Sequence, residues 1–169
     1  MSPLFWKHGM TTQQQFFRSL MGRMVTGVTV IATRSSDLVF AMTANAVTSV
    51  SLEPLILLAC IRNESRMLPT LLKEKKFSVN ILAAGQDDVS RHYSGKPLDE
   101  CPASWRYTEH GTPVLESANA SFACVIDSTH KMGDHTVVYG KVESMCGGHM
   151  ASPALVYASG RYAHLPLAA

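Results

Sequence analysis

The chain has little charge. Asp, Glu, Lys and Arg make up 17% of its 169 residues, and the net charge is +2. A soluble domain ordinarily carries about a quarter charged residues. No basic run or arginine stripe occurs, so the electrostatic footprint of a nucleic-acid binder is missing. Lys73, Lys75 and Lys76 form the densest basic patch, and with Glu74 among them they read as a solvated helix end. Sparse charge at this length points to surface covered by a second subunit. No apolar stretch approaches the ~20 residues that a membrane span needs. The N-terminus lacks a basic region followed by an apolar run, so no secretory signal is expected. Cytoplasmic placement with reduced thiols is the matching expectation. The four cysteines, Cys60, Cys101, Cys124 and Cys146, form no CxxC and no zinc-type spacing with histidine, so no metal site is expected. Cys60 and Cys124 lie in apolar runs and read as small core residues.

Catalytic signatures are also missing. There is no HExxH, no paired-carboxylate motif and no serine–histidine–acid order, so hydrolysis is not supported. Neither GxGxxG nor GxxxxGK occurs, so a nucleotide cofactor would not sit in a Rossmann or P-loop site. No repeat divides the chain, and 169 residues suit one domain with a real core.

The apolar periodicity supplies the elements. Thr12 to Met24 reads as a helix with Thr12 and Gln15 as a capping box, and Phe16, Phe17, Leu20, Met21 and Met24 form a stripe facing a core. Val28–Thr33 is β-branched and reads as a strand, with Ser35–Asp37 as a turn and Leu38–Met42 returning. Thr48–Ser51 continues extended. Leu55–Ile61 is continuously apolar, as in a strand buried on both faces. Ser65–Lys75 reads as a helix with Pro69 in its first turn. Phe77–Leu82 is a strand, Gln86–Tyr93 a short helix, and 94–112 irregular surface. Ala118–Thr129, His135–Met145 and Pro153–Ala158 are further strands. Six or seven strands without sustained strand–helix alternation suggest an antiparallel barrel or sandwich with helical additions.

Three segments could carry chemistry. Thr43–Ser51 has five hydroxyl or amide side chains and no charge. Its small residues would let the backbone approach a flat ligand, and its hydroxyls could bond a ring edge or a phosphate. The same residues suit an ordinary polar edge strand. Arg62–Ser65 ends in a serine that could cap the next helix or leave its N–H groups to a phosphate. Gly133-Asp134-His135 could present an imidazole over a pocket, or form a plain turn. Missing acid–base machinery has a positive reading too: hydride transfer between stacked rings needs positioning more than a proton donor.

Taken in order, these pieces resemble the flavin reductase family of two-component monooxygenases. The matching segments are Phe17-Arg18, Thr26–Val30, Met42–Asn45, Thr48–Leu52 with Pro54, Ser65, Phe77–Leu82, Gln86 and His92. They continue through Gly133–Thr136, Val138–Gly140 and Leu155–Tyr157 to Arg161-Tyr162, covering about residues 16 to 165. The resemblance implies an FMN-binding split β-barrel, usually a homodimer. It implies hydride transfer from NADH or NADPH to non-covalent FMN or FAD, with reduced flavin passed to a separate monooxygenase. The absence of an arginine cluster for a 2′-phosphate leans toward NADH. Thr43, Ala44, Asn45 and Ala46 would meet the isoalloxazine, and Ser49, Val50 and Ser51 the ribityl chain. Ser65 and Arg66 would meet the phosphate. Asn80, Ile81, Leu82 and His92 would line the rest, with Cys60 and Tyr157 as further contacts. Gly133, Asp134 and His135 would hold the nicotinamide nucleotide, with His135 foremost. Two departures stand out: Glu53-Pro54-Leu55 has one proline where two are frequent, and Ala46 replaces a frequent serine. A tightly held flavin serving another acceptor, or a non-enzymatic flavin- or haem-binding barrel, is the alternative.

Overall fold

A computed structural model describes residues 11–147 and 152–165. The helix α1 spans Thr12–Met21. Its capping box uses Thr11 and Gln14, one residue earlier than the expected pair. Thr11 Oγ1 accepts from the Gln14 N–H at 3.3 Å, and Gln14 Oε1 accepts from the Thr11 N–H at 2.8 Å. The two adjacent threonines offer both registers, and the earlier one starts the helix. Gly22 caps it, so it ends three residues before Met24. A larger difference concerns its apolar stripe, which faces no core among the described residues. Phe16 and Phe17 are about two-thirds exposed (64% and 65%), and no residue of the helix is buried.

Strand β1 (Thr26–Gly27) is followed by β2 (Thr29–Ser35), β3 (Leu38–Ala44), β4 (Val47–Leu52) and β5 (Leu55–Arg62). Then come α2 (Met67–Glu74), β6 (Lys76–Ile81) and α3 (Asp87–Tyr93). Strands β7 (Trp105–Tyr107), β8 (Pro113–Leu115), β9 (Ala120–Met132), β10 (His135–Gly147), β11 (Ala154–Ala158) and β12 (Arg161–Leu165) complete the chain. The expected irregular stretch therefore contains β7, which pairs antiparallel with β8. The closing strand β12 had no separate expectation; Gly160, at a positive φ of 78°, turns β11 back into it.

Seven antiparallel strands form the main sheet in the order β3-β2-β6-β9-β10-β5-β4. Its two outermost strands, β3 and β4, are joined by only Asn45 and Ala46. So short a link brings the two edges together, and the sheet closes into a barrel split at that corner. The fold is mainly β and matches the split-barrel expectation. Strand β5 differs from its reading as doubly buried. Leu57, Ala59 and Ile61 are buried, whereas Ile56, Leu58 and Cys60 on the other face are half-buried. The strand buried on both faces is β6, where Phe77, Ser78, Val79 and Asn80 are all buried.

Two cores flank the sheet. One gathers Ile31, Leu57, Ile61, Leu71, Phe77 and Val138, which α2 covers. The other gathers Val28, Val30, Leu82, Val89, Leu115 and Leu155. Between them the Asn80 carboxamide is fully buried and uses both of its ends. Nδ2 donates to the Val30 carbonyl and to Ser78 Oγ, both at 2.9 Å. Oδ1 accepts from the Leu115 N–H at 2.9 Å and from Ser121 Oγ at 2.8 Å. Among the described residues no helix is long and apolar enough to cross a membrane.

Gly140 marks a close approach. A Cβ there would stand 2.5 Å from Phe77 Cζ and 3.0 Å from the Cys124 Cβ. Gly140→Ala is expected to destabilise the fold by about 1–3 kcal/mol through overpacking. Asn80→Ala strands buried polar groups and should cost about 3 kcal/mol. Urea denaturation measures both; an unchanged midpoint for Asn80→Ala would contradict the role of that amide.

Candidate functional site

The corner between β3 and β4 sits where several segments meet. On one side, Thr43 Oγ1 donates to the Ser90 carbonyl of α3 at 2.6 Å. On the other, the neighbouring Met42 Sδ accepts from Ser65 Oγ at 3.6 Å. Alternation along the strand explains this, because successive side chains leave on opposite faces. At the corner itself, the Cys60 N–H donates to the Ala46 carbonyl at 2.9 Å. Residues 43–46 thus form a seam between two clusters.

The first cluster lines a cleft of about 540 Å³. Thr43, Ala44 and Asn45 supply one wall and Tyr157 another. Ser90, Arg91, Lys96, Arg161 and Tyr162 also line it. Ser90 Oγ and Tyr162 OH are hydrogen-bonded at 2.8 Å. The Arg91 guanidinium lies 5.1 Å from the centre of the Tyr162 ring, and Tyr157 meets that ring edge-on at 5.3 Å. Three cations face one cleft carboxylate, Asp87, which approaches His164 at 3.4 Å. The cleft therefore favours an anionic ligand with a flat ring. Sequence reasoning missed Arg91, Lys96 and Arg161 as a group. They come from α3, the loop after it and β12, and no local spacing joins them.

The second cluster surrounds the β9–β10 hairpin turn. Gly133 has a φ of 59°, which suits the first position of a two-residue hairpin loop. His135 Nδ1 lies 2.8 Å from Asp134 Oδ1. A carboxylate can only accept, so Nδ1 donates. The hydrogen bond from His135, with its charge, holds the Asp134 carboxyl below the usual carboxylate range. That contact is present at neutral pH and is lost only as the pH falls through the lowered value. Asn63 ties this turn to the loop carrying Ser65, whose Oγ accepts from the Met67 N–H at 3.2 Å and so begins α2. Arg66 is exposed beside it.

The remaining candidates lie elsewhere. Ser49, Val50 and Ser51 run along β4 away from the corner, through a bulge, and Val50 is exposed. Asn80 and Leu82 are fully buried, so neither side chain reaches the cleft surface, and Ile81 is half-buried. His92 uses Nδ1 to accept from the Leu98 N–H at 3.0 Å, which braces the loop after α3. Nearby, burial and the Cys101 thiol push the Tyr93 hydroxyl up to about 12. Cys60 is half-buried at the seam and not in the core as expected; Cys124 is the buried one, and burial pushes its thiol up to about 12. Among the described residues no group of His, Cys, Asp and Glu could hold a metal ion.

The model of the flavin reductase like domain matches residues 21–166. The chain belongs to this family. It is 37% identical over 130 residues to the reductase subunit HsaB of a flavin-dependent monooxygenase from Mycobacterium tuberculosis, covering 76% of this chain and 70% of HsaB. An NADH-dependent flavin reductase from a Rhodococcus species is 36% identical over 157 residues, covering 89% of this chain and 85% of that protein. Among solved structures, the NADH:FAD oxidoreductase SgcE6 of Streptomyces globisporus, in complex with NAD and FAD fragments, superposes with a TM-score of 0.81. It is 31% identical, and the match covers 89% of this chain and 91% of that one.

The burial pattern sets an order of thiol reactivity. Iodoacetamide should label the exposed Cys101 first, half-buried Cys60 and Cys146 more slowly, and Cys124 only on unfolding. Peptide mass spectrometry reads the order; early labelling of Cys124 would contradict the packing described.

Proposed function

We propose that this flavin reductase oxidises NADH, reduces a non-covalently bound FMN or FAD, and supplies the reduced flavin to a separate monooxygenase. The observation that carries the reading is the seam at residues 43–46, with a cationic, ring-lined cleft on one side and the Gly133–His135 turn on the other. The cleft fits the group. Its volume and its aromatic and hydroxyl lining suit a flat heterocycle, and its three cations suit an anionic ligand. Flavin supplies the hydride acceptor when bound.

The chain's own residues do the rest. Thr43, Ala44 and Asn45 offer backbone and amide groups to a ring edge. Ser65 and Arg66 stand at the start of α2, where a hydroxyl and a guanidinium suit a phosphate. Asp134 orients the His135 imidazole toward the nicotinamide nucleotide. No residue need donate a proton for the transfer itself, so the work is positioning.

The same reading gives a second copy of this chain as the cover for exposed apolar surface. The outer face of β5, with Ile56 and Leu58 half-buried, and the stripe on α1 are such surface. The four free cysteines suit a reducing, cytoplasmic setting.

Stopped-flow mixing of the protein with NADH and FMN or FAD should show loss of reduced nucleotide that depends on flavin. No oxidation with either flavin would sink the proposal. Bound FMN should slow alkylation of Cys60 and leave that of Cys101 unchanged. His135→Ala should raise KM for NADH about tenfold, with flavin affinity within about twofold.

A further inference from the structure

One residue is hydrogen-bonded to both flanks of His135, and neither the Gly133–His135 motif nor the cleft includes it. Asn63 lies in the loop between β5 and α2. Its Nδ2 donates to the Gly133 carbonyl at 3.1 Å. Its main-chain N–H donates to the Asp134 carbonyl at 2.9 Å. Its Oδ1 accepts from Thr136 Oγ1 at 2.8 Å. The residues before His135 and the residue after it are therefore fastened to one point. The ladder adds to this, since His135 stands opposite Arg62 on β5.

We infer that Asn63 is a positioning residue for the nicotinamide nucleotide: it fixes the turn that aims His135 and touches neither flavin nor nucleotide itself. This rests on the reading of His135 as a nucleotide contact. The physical case is one of preorganisation. A two-residue hairpin loop projects into solvent with few contacts of its own, and Asp134 is exposed. Without the Asn63 side chain, the Gly133 carbonyl and the Thr136 hydroxyl lose their outside partner, and the imidazole samples more directions. Each binding event must then repay that freedom. Ser65 lies two residues on in the same loop, so the loop reaching toward the flavin phosphate also holds the nucleotide turn.

The side chain contributes two of the three bonds, and its backbone N–H survives substitution. Asn63→Ala should raise KM for NADH about tenfold and weaken NAD⁺ binding by calorimetry to match, with flavin affinity within about twofold. Thr136→Val, which removes one hydroxyl at constant shape, should move both in the same direction by about threefold and serves if Asn63→Ala fails to fold. The decisive comparison is a double-mutant cycle with His135→Ala. If Asn63 acts through His135, adding Asn63→Ala to His135→Ala costs little more. Fully additive losses, an unchanged KM and NAD⁺ affinity in both single variants, or an equal loss of flavin affinity would each overturn the inference. An unchanged KM in His135→Ala alone would overturn the underlying reading of His135 instead, and that result involves no change at Asn63.

Discussion

The Asn80 carboxamide joins parts of the fold that the sheet alone would leave loosely connected. It bonds to β2 through Val30, to β8 through Leu115 and to β9 through Ser121, all from inside the protein. A buried amide is costly unless every bond is made, and here each end finds two partners. The small β7–β8 hairpin is thereby fixed against the barrel, which in turn sets the wall behind Leu115, Leu82 and Val28. Val28 lines the cleft, so the site inherits its floor from this network.

A second constraint is the brevity of the link between β3 and β4. Two residues close a seven-stranded sheet, and the same two lie between the cleft and the β5–α2 loop. Barrel closure and one wall of the cleft thus use one stretch of backbone. The small residues at 44 and 46 leave that turn uncrowded. Hydroxyl and amide neighbours at 43 and 45 are already engaged with Ser90 and Thr26, which holds the corner in shape.

Much of this was legible in the sequence. β-Branched runs and glycine-led turns marked most strands, and the uncharged stretch after Met42 marked the seam. What stayed hidden was hidden for physical reasons. A helix stripe indicates that apolar side chains share a face, but not that the chain itself covers them, and α1 is left bare. An unbroken apolar run gives β5 no polar residue to reveal which face is less buried. Arg91, Lys96 and Arg161 converge only through tertiary structure. The family resemblance singled out Asn80 and Leu82, and their full burial could not be seen from it. Asn63 lay within the singled-out segment Arg62–Ser65, but its hold on the distant 133–136 turn exists only in the folded chain.

The bare helix has a consequence of its own. Ten residues are too few to stay helical in water by local forces, and a capping box adds only about 1 kcal/mol. No residue of α1 is buried among the described residues. A surface laid against Phe16, Phe17 and Leu20 would lend it order. Amide-exchange protection across this segment would then vary with dilution while the barrel strands stayed constant. The first ten helical residues would act as a gauge of assembly, reporting on company kept and not on the fold that follows them.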